Sequence, residues 1–426
     1  MLDKRKFGTI ITSMRKSLGM PQEKLAELLF VSPQAVSKWE NGHTLPPTSL
    51  LPVLAQIFGC SIDALMMPAY TADESIETNP SVSQRIIPTE NSFYDEEIAS
   101  SVRKQTGLYE ILTVQRGLSQ NMDGRLVREI AVSSSSSHLD LLETFYPSDD
   151  AQLNRYLFLS SYISCIPKLF RADSDRHLLL TENVEKNSVS GCEYDEETPA
   201  GDFFRENITE ILHTAAEWHA KFWMNNPAFT EIGLDWRHRS QENIFAHISA
   251  MEKDFETYRE NERSGKIPRV WQGMKNHITE KQFEYYTDAV RRLRNEYPAR
   301  FPAGENFTVI HGDMHPGTAH IDRDKRTVKF TGLQAVRIGL CTEDLAMLIA
   351  LHIEPERKKS IPMLDEYYSA LTSCIKSYPY ELFMQDYRFA VTEAMFFPIR
   401  LMNRGIFDFS MRDRAIHAYE TWVYGQ

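Results

Sequence analysis

Apolar residues recur at helical spacing from the start of the chain. Phe7, Ile10, Ile11, Met14 and Leu18 lie three and four apart, and Gly19 closes the helix they predict. Residues 22–29 repeat the pattern with Leu25, Ala26 and Leu29 inward. Ser32-Pro33 places an N-cap hydroxyl before a proline at the first helical position, and Asn41-Gly42 ends that helix. Residues 49–58 and 61–66 supply two more helices. Residues 1–68 therefore read as an all-α domain.

Residues 69–104 are polar, carry Pro80 and Pro88, and read as a linker, with Ile86-Ile87 and Phe93-Tyr94 as apolar points that can dock. From 105 the pattern turns to strands. Residues 109–114, 126–132, 139–145, 167–170 and 177–182 are rich in β-branched residues or alternate, and residues 153–162 form a helix among them. Helices follow at 203–225, 244–262 and 280–297. Residues 308–311 and 328–330 form a short strand pair, and helices then run to Trp422. A β-rich half (105–185) followed by a helical half (186–426) makes residues 105–426 a two-lobed α+β domain, and the chain multidomain.

Charge sharpens the division. Residues 1–70 hold seven Lys/Arg against five Asp/Glu, inside a chain whose net charge is −12. A weakly basic head on an acidic body suits a small nucleic-acid module joined to a domain of another kind. Five scattered cysteines, none in a C-x-x-C pair, suit a reducing, cytoplasmic setting. No run approaches the ~18 apolar residues of a membrane helix, and the first residues, MLDKRKFGTII, lack the apolar core of a secretory signal. No membrane partner is expected.

Two helices that cross closely need a small residue at the crossing and apolar residues after the turn. Ala26 fills the first need, and Val31, Val36 and Trp39 the second. That burial turns Gln34, Ser37 and Lys38 outward. A glutamine can bond the N6/N7 edge of adenine and a lysine the O6/N7 edge of guanine. Gln22 starts its helix, where a phosphate would sit, and Asn41 and Thr44 can add phosphate contacts. The segment PQEKLAELLFVSPQAVSKWENG resembles the Cro/repressor-type (XRE-like) helix-turn-helix family, over residues 7–66. The resemblance implies binding to double-stranded DNA, as a homodimer. It also implies a partly exposed brace between Arg15 and Glu40. Phe30 departs from the family, whose turn often has Gly or Asn there.

A second motif lies far downstream. Val309-Ile310-His311-Gly312-Asp313-Met314-His315-Pro316-Gly317-Thr318 resembles the H-G-D-x-H-x-x-N catalytic loop of the aminoglycoside phosphotransferase/choline kinase group. Residues 178–182 resemble its hinge strand, residues 216–223 its first large C-lobe helix, and Glu343-Asp344-Leu345-Ala346 its D-L-A segment. The resemblance implies a protein-kinase-like fold in which Asp313 orients or deprotonates a substrate hydroxyl and His311 braces the loop. It also implies Mg-ATP, held by an Asn and an Asp. Here those positions are Thr318 and Gly332, and Glu143 falls where a phosphate-binding lysine is expected. A carboxylate repels phosphate. His311 and His315 read as loop braces rather than metal ligands, and Trp218 and His219 as packing.

The two halves together predict a cytoplasmic, DNA-binding transcriptional regulator. Its phosphotransferase-like domain is expected to be a pseudokinase that senses an effector or carries dimer contacts. Neither metal nor cofactor is expected, since Mg-ATP belongs only to the first alternative: an active small-molecule kinase with an autoregulatory DNA module. The second is a scaffold for a protein partner, which a filled cleft would favour.

Overall fold

The computed structural model describes residues 4–17, 20–29, 31–47, 50–51, 53–54, 92–108, 110, 112–122, 125–146, 150–186, 188–190, 205–224, 241–267, 270–271, 274–275, 277–300 and 305–424. The chain divides into two compact units, Met1–Ile86 and Ile87–Gln426.

In the first unit, α1 (Lys4–Ser17), α2 (Gln22–Leu28) and α3 (Pro33–Glu40) surround a core of Phe7, Ile11, Leu25, Ala26, Leu29, Val36, Trp39 and Leu54. Ser32 caps α3 as its sequence predicts, accepting from the Ala35 N–H at 3.3 Å. Gly8 lets α1 cross the end of α3, because a Cβ there would run into the carbonyl oxygens of Trp39 and Glu40. Gly19, Phe30 and most of the two later helices expected up to residue 66 lie outside the described residues.

The second unit begins with a helix where the sequence reading placed linker. α4 (Asp95–Thr106) has Asp95, Glu96 and Glu97 in its first turn, Arg103 and Lys104 in its last, and Gly107 at its C-cap with φ 73°. Those are ordinary helix signals in a segment read as a polar linker with apolar docking points at Ile86-Ile87 and Phe93-Tyr94. Phe93, Ile98 and Val102 bury against a five-stranded antiparallel sheet in the order β1-β2-β3-β5-β4. Its strands are β1 (Thr113–Met122), β2 (Arg125–Ser133), β3 (His138–Phe145), β4 (Leu169–Asp173) and β5 (Leu178–Glu182), with α5 (Asp150–Tyr162) between β3 and β4.

The helical lobe follows a short strand β6 (Ser188–Ser190). Its helices include α6 (Ile208–Lys221), α7 (Gln241–Arg263) and, after a small hairpin of β7 (Val270–Trp271) and β8 (Met274–Lys275), α8 (Glu280–Arg300). The predicted pairing of residues 308–311 with 328–330 is not what forms. β9 (Phe307–Ile310) pairs with β12 (Arg337–Leu340), while β11 (Val328–Phe330) pairs with β10 (Ala319–Asp322). The two partner strands, β10 and β12, are four residues each and nearly fully buried, so they show no period-2 alternation to read. Then come α9 (Cys341–Leu345), a π-helical stretch (Ala346–Ile353), α10 (Arg357–Cys374), α11 (Tyr380–Ala394), α12 (Phe397–Asn403) and α13 (Phe409–Tyr419). One core of over sixty buried side chains joins this lobe to the β5 and α5 side of the sheet.

Candidate functional sites

On α3, Val36 and Trp39 face the core while Gln34 and Lys38 are exposed. Ser37 is half-buried, and its carbonyl and hydroxyl accept from Asn41 Nδ2 at 2.8 and 3.3 Å. Asn41 and Thr44 are exposed beyond the helix end. The Arg15–Glu40 brace forms a two-pronged pair, Nε–Oε1 at 2.6 Å and Nη2–Oε2 at 2.9 Å. It is buried rather than partly exposed: the two side chains are 9% and 5% accessible. Gln22 joins it, its Nε2 donating to Glu40 Oε2 at 2.7 Å. Burial works against the Glu40 charge, but hydrogen bonds from Arg15 and Gln22 win and hold its carboxyl below the usual range.

In the second unit, Asp344 at the start of α9 organises the H-G-D loop. Its carboxylate accepts the backbone N–H groups of His311 at 2.7 Å and Gly312 at 2.8 Å, and contacts His219 Nε2 at 3.1 Å. His219 in turn meets the Tyr367 hydroxyl at 2.6 Å. Trp218 donates to the Val309 carbonyl at 2.9 Å. Trp218 and His219 are thus interior supports of the loop. His311 is buried and bonds the Thr331 carbonyl at 2.6 Å; burial pushes its pKa down. His315 Nδ1 accepts the Gly317 N–H at 3.0 Å, and its pKa also falls with burial.

The half-buried Asp313 carboxylate makes no hydrogen bond to a described residue. It lines a cavity of about 310 Å³ together with Arg337, Glu343, Glu393, His247 and Arg400. Nothing at the two expected magnesium positions fits the ion. The Thr318 hydroxyl is tied into the loop, donating towards the carbonyls of Asp313 and His315 at 3.1 and 3.0 Å and accepting the His315 N–H at 3.1 Å. Gly332 has no donor atom and sits at φ 74°, ψ 38°. A Cβ on it would lie 3.0 Å from the Thr318 methyl group, a tight approach.

The placing of Glu143 at a phosphate-facing position is corrected by the strand's alternation. Leu142 and Thr144 face the cleft between the lobes, while Leu141 and Glu143 face α4. Glu143 is buried, accepts the Phe93 N–H at 2.6 Å, and lies 3.3 Å from Arg128 and 3.6 Å from Arg116. Its role is to dock α4. Thr144 occupies the cleft position in its place, and α5 turns Gln152 and Tyr156 towards the cleft. The cleft itself is open, about 400 Å³, and Arg125 at the start of β2 lines it. Sequence reading missed Arg125 and Asp344's anchoring role; the period-2 face of β2, shared by Arg125, Val127 and Glu129, was the available signal for the first.

Residues 11–65 match the helix-turn-helix family model, and the first unit is a helix-turn-helix domain. Over 60 residues the chain is 37% identical to the HTH-type transcriptional activator BcrR of Enterococcus faecalis, a match spanning 14% of this chain and 29% of that protein's length. Solved structures similar to the chain include choline kinase LicA from Streptococcus pneumoniae (14% identity, 76% of this chain and 99% of that one, TM-score 0.42). An ethanolamine kinase from Plasmodium vivax is another (11% identity, 74% and 82%, TM-score 0.41). A third is an aminoglycoside phosphotransferase from Streptomyces rimosus (15% identity, 78% and 100%, TM-score 0.31). No described helix is long and apolar enough to cross a membrane.

Proposed function

We propose that this chain is a DNA-binding transcriptional regulator whose second unit is a phosphotransferase-like domain without phosphoryl-transfer activity. The observation that carries the first half is α3: its apolar face is locked inward by Val36 and Trp39, its orientation is held by the Arg15–Glu40–Gln22 cluster, and its outer face presents Gln34 and Lys38. Those two residues read base edges, while Asn41 and Thr44 at the helix end meet phosphates, as does Gln22 through the part of its amide not given to Glu40. Ser37 completes this face.

The observations that support the second half are that Gly332 carries no side-chain ligand and that the Thr318 hydroxyl is tied into its own loop. Phosphoryl transfer depends on positioning and on neutralising charge, and Asp313 alone does neither job for the phosphates. The open cleft favours an effector pocket over a scaffold for a protein partner. The proposed setting is the cytoplasm, and the proposed form on DNA is a homodimer whose half-sites lie about one helical turn apart.

The test is a mobility-shift assay with the full chain on its own promoter region. Gln34→Ala is expected to cost about 1–3 kcal/mol on the cognate site and to relax specificity at one base pair. Unchanged affinity and preference in Gln34→Ala/Lys38→Ala would refute the assignment.

A further inference from the structure

Two arginines in the helical lobe stand without countercharge. Arg357 is the first residue of α10 and Arg388 lies on α11; both are half-buried, and neither forms an ion pair among the described residues. Trp422, in the last helical turn (Glu420–Tyr424), links them. The Arg357 guanidinium lies 5.4 Å from the centre of the Trp422 ring, and Tyr387, next to Arg388, meets that ring edge-on at 4.9 Å. Three polar atoms in this group are out of water and have no hydrogen-bond partner: Arg388 Nε, Trp422 Nε1 and Tyr387 Oη. Trp422 and Tyr387 are both fully buried. The two guanidiniums also feel each other, since burial first and the Arg357 charge second push the Arg388 pKa down. Like charges held together and partly out of water cost stability unless an anion joins them.

Arg388 lines a groove of about 470 Å³ with Phe389 and Val423. The other cations of that groove are already engaged: Arg292 bonds Asp288 at 2.8 Å and Arg300 bonds Asp386 at 2.6 Å. Glu296 stands beside Arg292 and is the acid that opposes an anion there. A different set of α11 residues, Ala390, Glu393 and Ala394, lines the cavity of Asp313, so the groove is separate from the H-G-D loop.

We infer that Arg357 and Arg388 form a metal-free binding site for the phosphate group of a small molecule. Guanidinium N–H groups pair with phosphate oxygens in a fixed fork, and two of them match the dianion of one phosphate. A DNA backbone is held by many cations spread along a face, whereas here two stand among charges already paired. The groove beside Arg388 gives room for the organic part of a phosphate monoester. The inference stands apart from the readings of the inter-lobe cleft and of DNA recognition.

The test is calorimetry and melting of the full chain with inorganic phosphate and phenyl phosphate, at constant ionic strength. Benzoate and chloride serve as single-charge controls. Both phosphates are expected to bind saturably and to raise the melting temperature, with benzoate and chloride at least tenfold weaker. Tighter binding of phenyl phosphate assigns the site to an organic monoester, and equal binding assigns it to free phosphate. Arg357→Met and Arg388→Met keep the apolar stems and are each expected to weaken phosphate binding tenfold or more. Arg388→Lys keeps the charge without the fork and is expected to recover part of the binding. Without phosphate, Arg388→Met is expected to melt no lower than the parent, because it has no internal partner to lose. Glu296→Gln is expected to bind phosphate as tightly as the parent or more so. Absence of saturable phosphate binding, benzoate as tight as phosphate, binding unchanged in both methionine variants, or an Arg388→Met chain that melts well below the parent would each overturn the site.

Discussion

Glu40 collects three hydrogen bonds, two from Arg15 and one from Gln22, and it does so almost out of water. An exposed ion pair is worth about 0–1 kcal/mol, but removing one partner of a buried pair strands the other, at about 3–5 kcal/mol. Arg15→Ala is therefore expected to cost about 2–4 kcal/mol in chemical denaturation of the helix-turn-helix unit, and Gln22→Ala only about 1 kcal/mol. A double-mutant cycle of Arg15 and Glu40 that finds no coupling would refute the brace. His320 gives a second residue-scale outcome. Burial pushes its pKa from 6.5 to about 4, while its ring nitrogens meet the hydroxyls of Ser188 and Thr331 at 3.2 and 3.0 Å. Below the ordinary value the unfolded chain takes up a proton that the folded chain refuses, so stability falls as pH falls through that window. Between 6.5 and about pH 5 the loss from this group is of order 2 kcal/mol. The melting temperature of His320→Gln, whose side chain does not titrate, is expected to fall less steeply with acid than that of the parent chain.

At the scale of elements, the helix-turn-helix was legible because each signal is local: an N-cap Ser, a proline at the first helical position, a helix-end Asn-Gly and a 3.6-residue period all point the same way. α4 had signals of equal quality, but its acids and its place after a polar stretch made a docked helix look like linker. What identifies it as part of the fold is Glu143, fifty residues away in sequence, accepting the Phe93 N–H. That same distance explains the misplaced Glu143. Its residue type was read in the register of a phosphate-binding strand, yet a one-residue difference in register moves a side chain to the other face of a sheet. Burial raises the Glu143 pKa even with Arg116 and Arg128 beside it, so its charge is held there by those contacts rather than by water. Glu143→Ala is expected to destabilise the second unit by about 2–4 kcal/mol, because it strands the buried Phe93 N–H and removes the carboxylate beside Arg116 and Arg128. Hydrogen exchange is expected to accelerate first in α4. Unchanged protection of residues 95–106 would show that Glu143 does not dock that helix.

At the scale of the whole molecule, the chain joins a helix-turn-helix domain to a unit whose His311–Thr318 loop resembles that of phosphotransferases, and the proposal is that this unit transfers no phosphate. Asp344 and His219 still hold the His311–Gly312 turn, so Asp313 is presented to a cavity as though for a substrate hydroxyl. What the loop lacks is countercharge: Thr318 is bound to its own loop, Gly332 has no side chain, and Thr144 stands at the cleft position on β3. Loss of one transition-state charge contact commonly costs about 2.7–4 kcal/mol, and several lost together bring turnover to background even when their effects do not add. The full chain is therefore expected to transfer no phosphate from Mg-ATP to aminoglycosides, choline-like alcohols or sugars. Adding Thr318→Asn and Gly332→Asp together is the informative variant, because asparagine removes the methyl group that would crowd a Cβ at 332 and aspartate is among the residues that tolerate a left-handed backbone. If the positions are degenerate metal ligands, this pair is expected to confer a magnesium-dependent rise in ATP binding, while turnover stays low for want of the β3 cation. Magnesium-dependent turnover in the unmodified chain that disappears in Asp313→Ala would instead make the second unit an active kinase.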